Sequence, residues 1–215
     1  MALDRTIDRL WGPREPGWKV SVARDRSDDE GSDKALSTAD DQALVDACLA
    51  GRRDAFDLIV GRHQRQIYQL CYRFVGTHED ASELAQDVFI RAYRGLRGFK
   101  GNSAFSTWLY RVGVNVCLNR VNARSPRLAA LDTIDQTDHR IEHADTALLR
   151  GERAAEVRAA IARLPDKQRA TLILRVYHDL PHEQIAGILG SSTGAVKANF
   201  FHALANLKKL LKASS

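Results

Sequence analysis

Apolar residues recur along most of this chain at steps of three and four, the spacing that gathers side chains on one side of an α-helix. No two-residue alternation of the kind a half-buried strand needs runs for a useful length. Leu44, Val45, Cys48 and Leu49 form a first apolar stripe, Phe56, Ile59 and Val60 a second, and Ile67, Leu70, Cys71 and Phe74 a third. A further helix is expected from near Thr77 to about Leu96, with Leu84, Val88 and Tyr93 on its inner side. Its opposite side carries Glu79, Glu83 and Asp87 at four-residue steps with Gln86 alongside. Carboxylates so placed repel one another modestly, so the stripe is either a solvated face or one awaiting a basic partner. Periodicity lapses between Ser125-Pro126 and about Leu149, where acidic residues are scattered through polar sequence, and returns from about Gly151. There Val157, Ile161 and Leu164 share a face, Pro165 interrupts, and Leu172, Ile173, Val176 and Tyr177 carry the pattern on.

The strongest local signal lies between Leu180 and Leu211. Pro181, the apolar stripe Ile185, Ala186 and Leu189, the turn residue Gly190 and a serine N-cap spell two helices joined by a tight corner, a helix-turn-helix. In the second of these helices Val196, Phe200, Ala203, Leu207 and Leu210 fall on one side, which turns Lys197, Ala198, Phe201 and His202 outward with Asn199 on the flank. A helix presented this way suits a DNA major groove, its free N–H groups and Lys197 meeting phosphate while neighbouring side chains reach base edges. No acidic residue follows Glu183. A helical hairpin that merely packs is the bland alternative.

These patterns predict an all-α chain: two small helical domains, 41–124 and 151–215, joined by a flexible linker over 125–150. Residues 1–40 read as an extension, since Pro13 and Pro16 stop the short amphipathic start and the acidic run from Asp25 to Asp33 cannot bury enough apolar surface to offset its ordering entropy. With 215 residues, a formal charge of +5 and a pI near 9.3, the chain has room for two such domains and favours a polyanionic partner. Cys48, Cys71 and Cys117 each lie inside an apolar stripe and none forms a Cys-x-x-Cys pair, which reads as core thiols in a reducing compartment. No apolar run spans a bilayer and Met1 opens no signal-peptide pattern, so a cytoplasmic protein without membrane insertion is expected. His139 with His143, and His178 with His182, lack the third ligand a metal site needs; no metal or other cofactor is expected.

Within the first module, Phe99 to Arg111 is a glycine-, asparagine- and serine-bearing loop running into a helix, dense in aromatics and flanked by Arg97, Lys100, Arg111 and Arg120. Rings interleaved with cations suit unstacked bases. Phe105, Trp108 and Leu109 are assigned mainly to the core of the helix they begin, which leaves Phe99 and the loop backbone for a ligand.

Taken together, these features resemble the extracytoplasmic-function group of bacterial RNA polymerase sigma factors (sigma-70 group IV), from about Asp41 to Lys212 apart from the linker. The resemblance is carried by Ala55-Phe56 with Ile59 and His63, by Glu83-Leu84-Ala85-Gln86-Asp87-Val88-Phe89, by Phe105-Ser106-Thr107-Trp108-Leu109-Tyr110-Arg111, by Leu164-Pro165, and by Glu183-Gln184-Ile185-Ala186 with Val196-Lys197. It implies a factor with no active site of its own that binds core RNA polymerase, at the β′ coiled coil and the β flap, and places it on promoter DNA. By the same resemblance Glu83, Gln86 and Asp87 fall where the family docks on the β′ coiled coil. Gly95, Phe99 and Asn115 fall where it pockets a base flipped out of the minus-10 element, with Lys100, Asn102 and Ser103 in the adjoining loop; capture of that base would offset a few kcal/mol of unstacking. Lys197, Ala198, Asn199, Phe201 and His202 fall on its minus-35 reading surface. Members commonly carry arginine where Asn199, His202 and Leu204 stand, so salt-sensitive affinity should be lower here and direct readout altered. The family also implies an anti-sigma partner, often membrane-anchored. Two other classes compete: a stand-alone helix-turn-helix regulator, which has no use for Glu83, Gln86, Asp87 or the aromatic loop, and a metal-dependent hydrolase, against which the missing ligand set argues.

Overall fold

The computed structural model describes residues 39–129 and 145–213, with side chains described for 39–123 and 153–213. The extension expected over residues 1–40, the centre of the expected linker and the pair His139 and His143 therefore lie outside the described residues, Ala39 and Asp40 excepted. Every regular element among the described residues is helical. In chain order they are α1 (Asp41–Leu49), α2 (Asp54–Val75), α3 (His78–Gly95) followed by a single 3₁₀ turn (Leu96–Gly98), α4 (Phe105–Ala129), α5 (Asp145–Ala162), α6 (Asp166–Val176), α7 (His182–Leu189) and α8 (Thr193–Ala213). Backbone proximity separates two units, one ending at Cys117 and the other beginning at Leu118, so the division falls within α4.

In the first unit Asp40 caps α1, its Oδ1 accepting from the Ala43 N–H at 2.8 Å. The next residue, Asp41, ties that helix to α2: Arg62 Nη1 donates to one carboxylate oxygen at 2.6 Å and His63 Nε2 meets the other at 2.9 Å, while Arg62 Nη2 reaches the Ala39 carbonyl at 2.8 Å. Gly76, at φ 82°, ends α2 in the left-handed conformation, and Thr77 at once caps α3 through the Asp80 N–H. Leu44, Val45, Ile59, Ile67, Leu70, Leu84, Val88 and Leu109 are almost wholly buried between these helices, each contributing about 1.5–3 kcal/mol relative to exposure. Helix α4 lies close upon this core because Gly113 has no side chain; a Cβ there would stand 2.9 Å from Leu70 Cδ2.

Cys71 and Cys117, 46 residues apart in sequence, meet in the same core with Sγ atoms 3.7 Å apart as free thiols. The hydrogen bond to Cys71, and then burial, hold the Cys117 thiol well above its ordinary pKa, which keeps it protonated and inert. Cys48 is only half-buried.

Three expectations are corrected. Leu49, in the last turn of α1, and Tyr93 in α3 are each 48% exposed rather than buried. Tyr93 lies seven residues, nearly two full turns, after Gln86 and so shares that residue's outward face; its ring still rests edge-on against Phe56, centroids 4.9 Å apart. Helices also reach into the expected linker: α4 runs through Ser125-Pro126 to Ala129, and α5 begins at Asp145. Asp145 sits favourably in a first helical turn, whereas α4 continues past Pro126 against that residue's own preference.

The second unit is built on α5, α6, α7 and α8. Arg169 of α6 is 5% exposed, and its guanidinium caps the end of α5: Nε donates to the Ile161 carbonyl at 3.2 Å and Nη2 to the carbonyls of Ala162 and, at 3.1 Å, Leu164. Pro165 starts α6 directly after Leu164, the break foreseen in the pattern. Ile161, Leu164, Leu172, Ile173, Leu174, Ile185, Ile188, Val196 and Ala203 form the core, and Asn206 of α8 donates to Gln168 of α6 at 2.9 Å.

Candidate nucleic-acid interface

Helix α3 offers the first candidate surface. Its inner face, with Ala81, Leu84, Ala85, Val88, Phe89 and Ala92, is fully committed to the core. That commitment turns Glu79, Glu83 and Gln86 outward, with Asp87 partly covered at the margin. Ile90, seven residues after Glu83 and therefore on the same stripe, is 47% exposed. The face thus pairs carboxylates with an apolar patch that the unit's own core does not cover.

The aromatic loop is arranged differently from its expected form. Lys100, Gly101, Asn102 and Ser103 are exposed, but Phe99 is only 9% exposed. Its ring packs edge-on against Phe105, with centroids 5.5 Å apart at 87°, and against Trp108 at 5.5 Å. Phe99 as a ring standing free for a ligand is therefore corrected: three aromatic side chains gain more by packing together than by facing water singly. Trp108, assigned mainly to the core, is only partly buried and lies over Gly95, whose missing Cβ would be 3.5 Å from Trp108 Cζ2. Gly95, Phe99 and Trp108 consequently gather around one spot, and Asn115 is exposed two turns beyond Trp108 on α4. Pattern reading named Trp108 and assigned it mainly to the core; its seven-residue spacing from Asn115 was the available signal for a place at this spot. Beside the loop, Ser103, Ala104 and Phe105 line a shallow hollow with Asp40, Asp41, Gln42 and Arg62.

The corner between α7 and α8 has the anticipated construction. Gly190 takes φ 58° and ψ 41°, a conformation in which other side chains are strained, and reverses the chain after Leu189. Ser192 then caps α8, its Oγ accepting from the Ala195 N–H at 3.2 Å. Val196 and Ala203 are buried against the unit's core, which leaves Lys197, Ala198, Phe201 and His202 exposed and Asn199 partly covered on the flank. Phe201 is 70% exposed and Leu204 40%. The Phe201 and His202 rings sit 5.8 Å apart, edge to face. Lys208, Lys209 and Lys212 continue the acid-free end of the chain.

Among the described residues no group of three or more His, Cys, Asp or Glu side chains is placed to hold a metal ion. No helix among them is long and apolar enough to cross a membrane.

Comparison with known proteins follows the same division of the chain. Residues 59–127 match the family model for sigma-70 region 2, and residues 154–207 that for sigma-70 region 4. The chain is 37% identical over 186 residues to the RNA polymerase sigma-H factor of Pseudomonas aeruginosa, covering 82% of this chain and 96% of that one. It is 34% identical over 172 residues to the ECF RNA polymerase sigma-E factor of Escherichia coli K12, covering 76% and 90%. Among solved structures it is similar to CnrH, determined in complex with the cytosolic domain of CnrY, with a TM-score of 0.60, 26% identity, and coverage of 81% of this chain and 99% of that one.

Proposed function

The chain belongs to the extracytoplasmic-function sigma factors of RNA polymerase, and from that premise we propose how its surfaces divide the work of directing the polymerase to promoters. The first domain, 41–124, grips the β′ coiled coil of core polymerase through Glu83, Gln86 and Asp87, with Ile90 extending the contact. In the same domain Gly95, Phe99, Trp108 and Asn115 surround the place where a base extruded from the minus-10 element is held, and Lys100, Asn102 and Ser103 meet its backbone. Holding one base out of the stack offsets the cost of opening the duplex, so recognition and melting coincide. Phe99 serves there as the packed wall of the pocket and Trp108 as its partly open face.

The second domain, 151–215, enters the major groove of the minus-35 element with the start of α8, where Lys197, Ala198, Asn199, Phe201 and His202 face the DNA, and its polymerase contact is the β flap. The factor supplies no active site of its own and works in the cytoplasm. By analogy with CnrH, which was captured with the cytosolic domain of another protein, an anti-sigma partner with a membrane anchor would cover the polymerase-facing surfaces when the factor is idle.

The observation that carries this reading is the pairing, in one chain, of an exposed carboxylate stripe on α3 with an exposed, acid-free α8. A stand-alone helix-turn-helix regulator explains the second feature and leaves the first without a purpose. Run-off transcription with purified core enzyme tests the proposal. The chain should confer promoter-specific transcripts, and replacing Glu83, Gln86 and Asp87 with alanine should abolish core binding while the isolated interaction with DNA persists. Unchanged polymerase binding by that triple variant would refute the assignment of α3.

A further inference from the structure

The chain enters its first unit beside the loop assigned to the minus-10 strand. Arg62 Nη2 holds the Ala39 carbonyl at 2.8 Å, and Asp40 caps α1. Asp40, Asp41 and Gln42 then line one hollow with Ser103, Ala104 and Phe105, and a Cβ on Gly101 would stand 3.6 Å from Gln42 Oε1. Whatever precedes Ala39 therefore starts next to that loop. Only residues 34–38 separate Ala39 from Asp33, so Asp33 lies within about 22 Å of Ala39 however the chain runs.

Charge on the two sides of this junction is opposite. No Asp or Glu occurs between Asp87 and Asp132, and within that span Arg91, Arg94, Arg97, Lys100 and Arg111 are all exposed. The carboxylates of the extension gather close to the junction: Asp25, Asp28, Asp29, Glu30 and Asp33 stand against Arg26 alone, whereas upstream of Asp25 basic residues outnumber acidic ones. No apolar side chain interrupts the run, which leaves charge as its means of binding.

Resting on the proposed role of Lys100, Asn102 and Ser103 in meeting the minus-10 strand, we infer that the acidic run from Asp25 to Asp33 docks in cis on the cationic surface around Arg97 and Lys100, standing in for a DNA backbone until a promoter strand displaces it. The short connection gives the run a high effective concentration at the loop. Such self-occupancy lowers the apparent affinity for every strand by the same factor. A tight promoter complex survives that reduction, and weak non-specific ones are suppressed.

Lys100 is the only lysine between Lys34 and Lys167, which makes the docking directly readable. Full-length factor would be treated with a zero-length carbodiimide, which condenses a carboxylate with a lysine amine, and the joined peptides identified by mass spectrometry. Residues 25–33 should be joined to Lys100. That product should fall about 5-fold when an excess of single-stranded minus-10 oligonucleotide, taken from a promoter recovered by run-off mapping, is added. It should fall likewise in about 1 M salt, where screening acts within about 3 Å. The variant Asp25→Asn, Asp28→Asn, Asp29→Asn, Glu30→Gln, Asp33→Asn should bind the oligonucleotide about 5-fold more tightly at low salt, as for a surface occupied about four-fifths of the time. The control variant Asp132→Asn, Asp135→Asn, Asp138→Asn, Glu142→Gln, Asp145→Asn changes net charge equally and should not.

Absence of the Lys100 product, joining of the run to Lys197, Lys208 or Lys209 in its place, or equal tightening by both variants overturns the inference. Failure of the parent reading looks different: the Lys100 product forms, which supports the docking, while the minus-10 oligonucleotide binds no better than a scrambled one of the same composition.

Discussion

Arg169 shows how much one side chain can organise. A guanidinium buried to 5% exposure would be costly alone, but here it satisfies carbonyls at the end of α5 and beyond, where the helix dipole presents partial negative charge. Arg169→Met, which keeps the bulk of the stem, should destabilise the second unit by about 3 kcal/mol, measured as a shift in the urea unfolding midpoint. No periodicity marks this role, since an arginine in a helical stretch looks like any surface cation until the partner helix is in place. The same limit applies to Phe99 and Trp108. Their types and spacing announce an aromatic cluster, but which ring turns toward solvent depends on how both pack against Phe105.

Elements were more legible than residues. The corner from α7 to α8 follows from Gly190 and Ser192, each demanded by backbone chemistry rather than by long-range contact. Nothing lies within 4 Å of a Cβ built on Gly190, so Gly190→Ala should cost only the left-handed backbone penalty, about 1–2 kcal/mol, and Gly190→Asn distinctly less. Ser192→Ala should cost about 1 kcal/mol through the lost cap. Both effects are readable from thermal unfolding of the second unit, and an equal loss for Ala and Asn at Gly190 would contradict the backbone explanation. Helix α3 was likewise foreseen, with its start near Thr77, yet Tyr93 was placed on the wrong side. At the margin of an amphipathic face an aromatic ring is apolar enough to suggest burial, and only the helix's rotation against α2 decides the matter.

For the whole molecule, stability should depend on pH at the alkaline end. Burial pushes the Tyr110 hydroxyl up to about 12 from its ordinary 10.0. Between those pH values the unfolded chain gives up the phenolic proton while the folded chain keeps it, so unfolding becomes progressively easier. The contribution is complete below pH 10 and lost by about pH 12; its size is about 2–3 kcal/mol. Tyr110→Phe should flatten this part of the stability profile relative to wild type, as followed by urea unfolding at several pH values. Burial also raises the Tyr68 pKa, which leaves a residual slope of the same sign in the variant.

Amino-acid order alone determined that the chain is helical throughout its patterned regions, where its caps and corners lie, and that an acidic stripe and an acid-free basic helix belong to different parts of it. Those properties are local: period, capping and charge act within a few residues of one another. Tertiary packing decided the rest, namely that Cys71 meets Cys117, that Gly113 admits α4 against Leu70, and that Phe99 is a wall rather than a platform. Each of these depends on which helix faces cover one another, and burial is a property of the partner surface as much as of the residue buried.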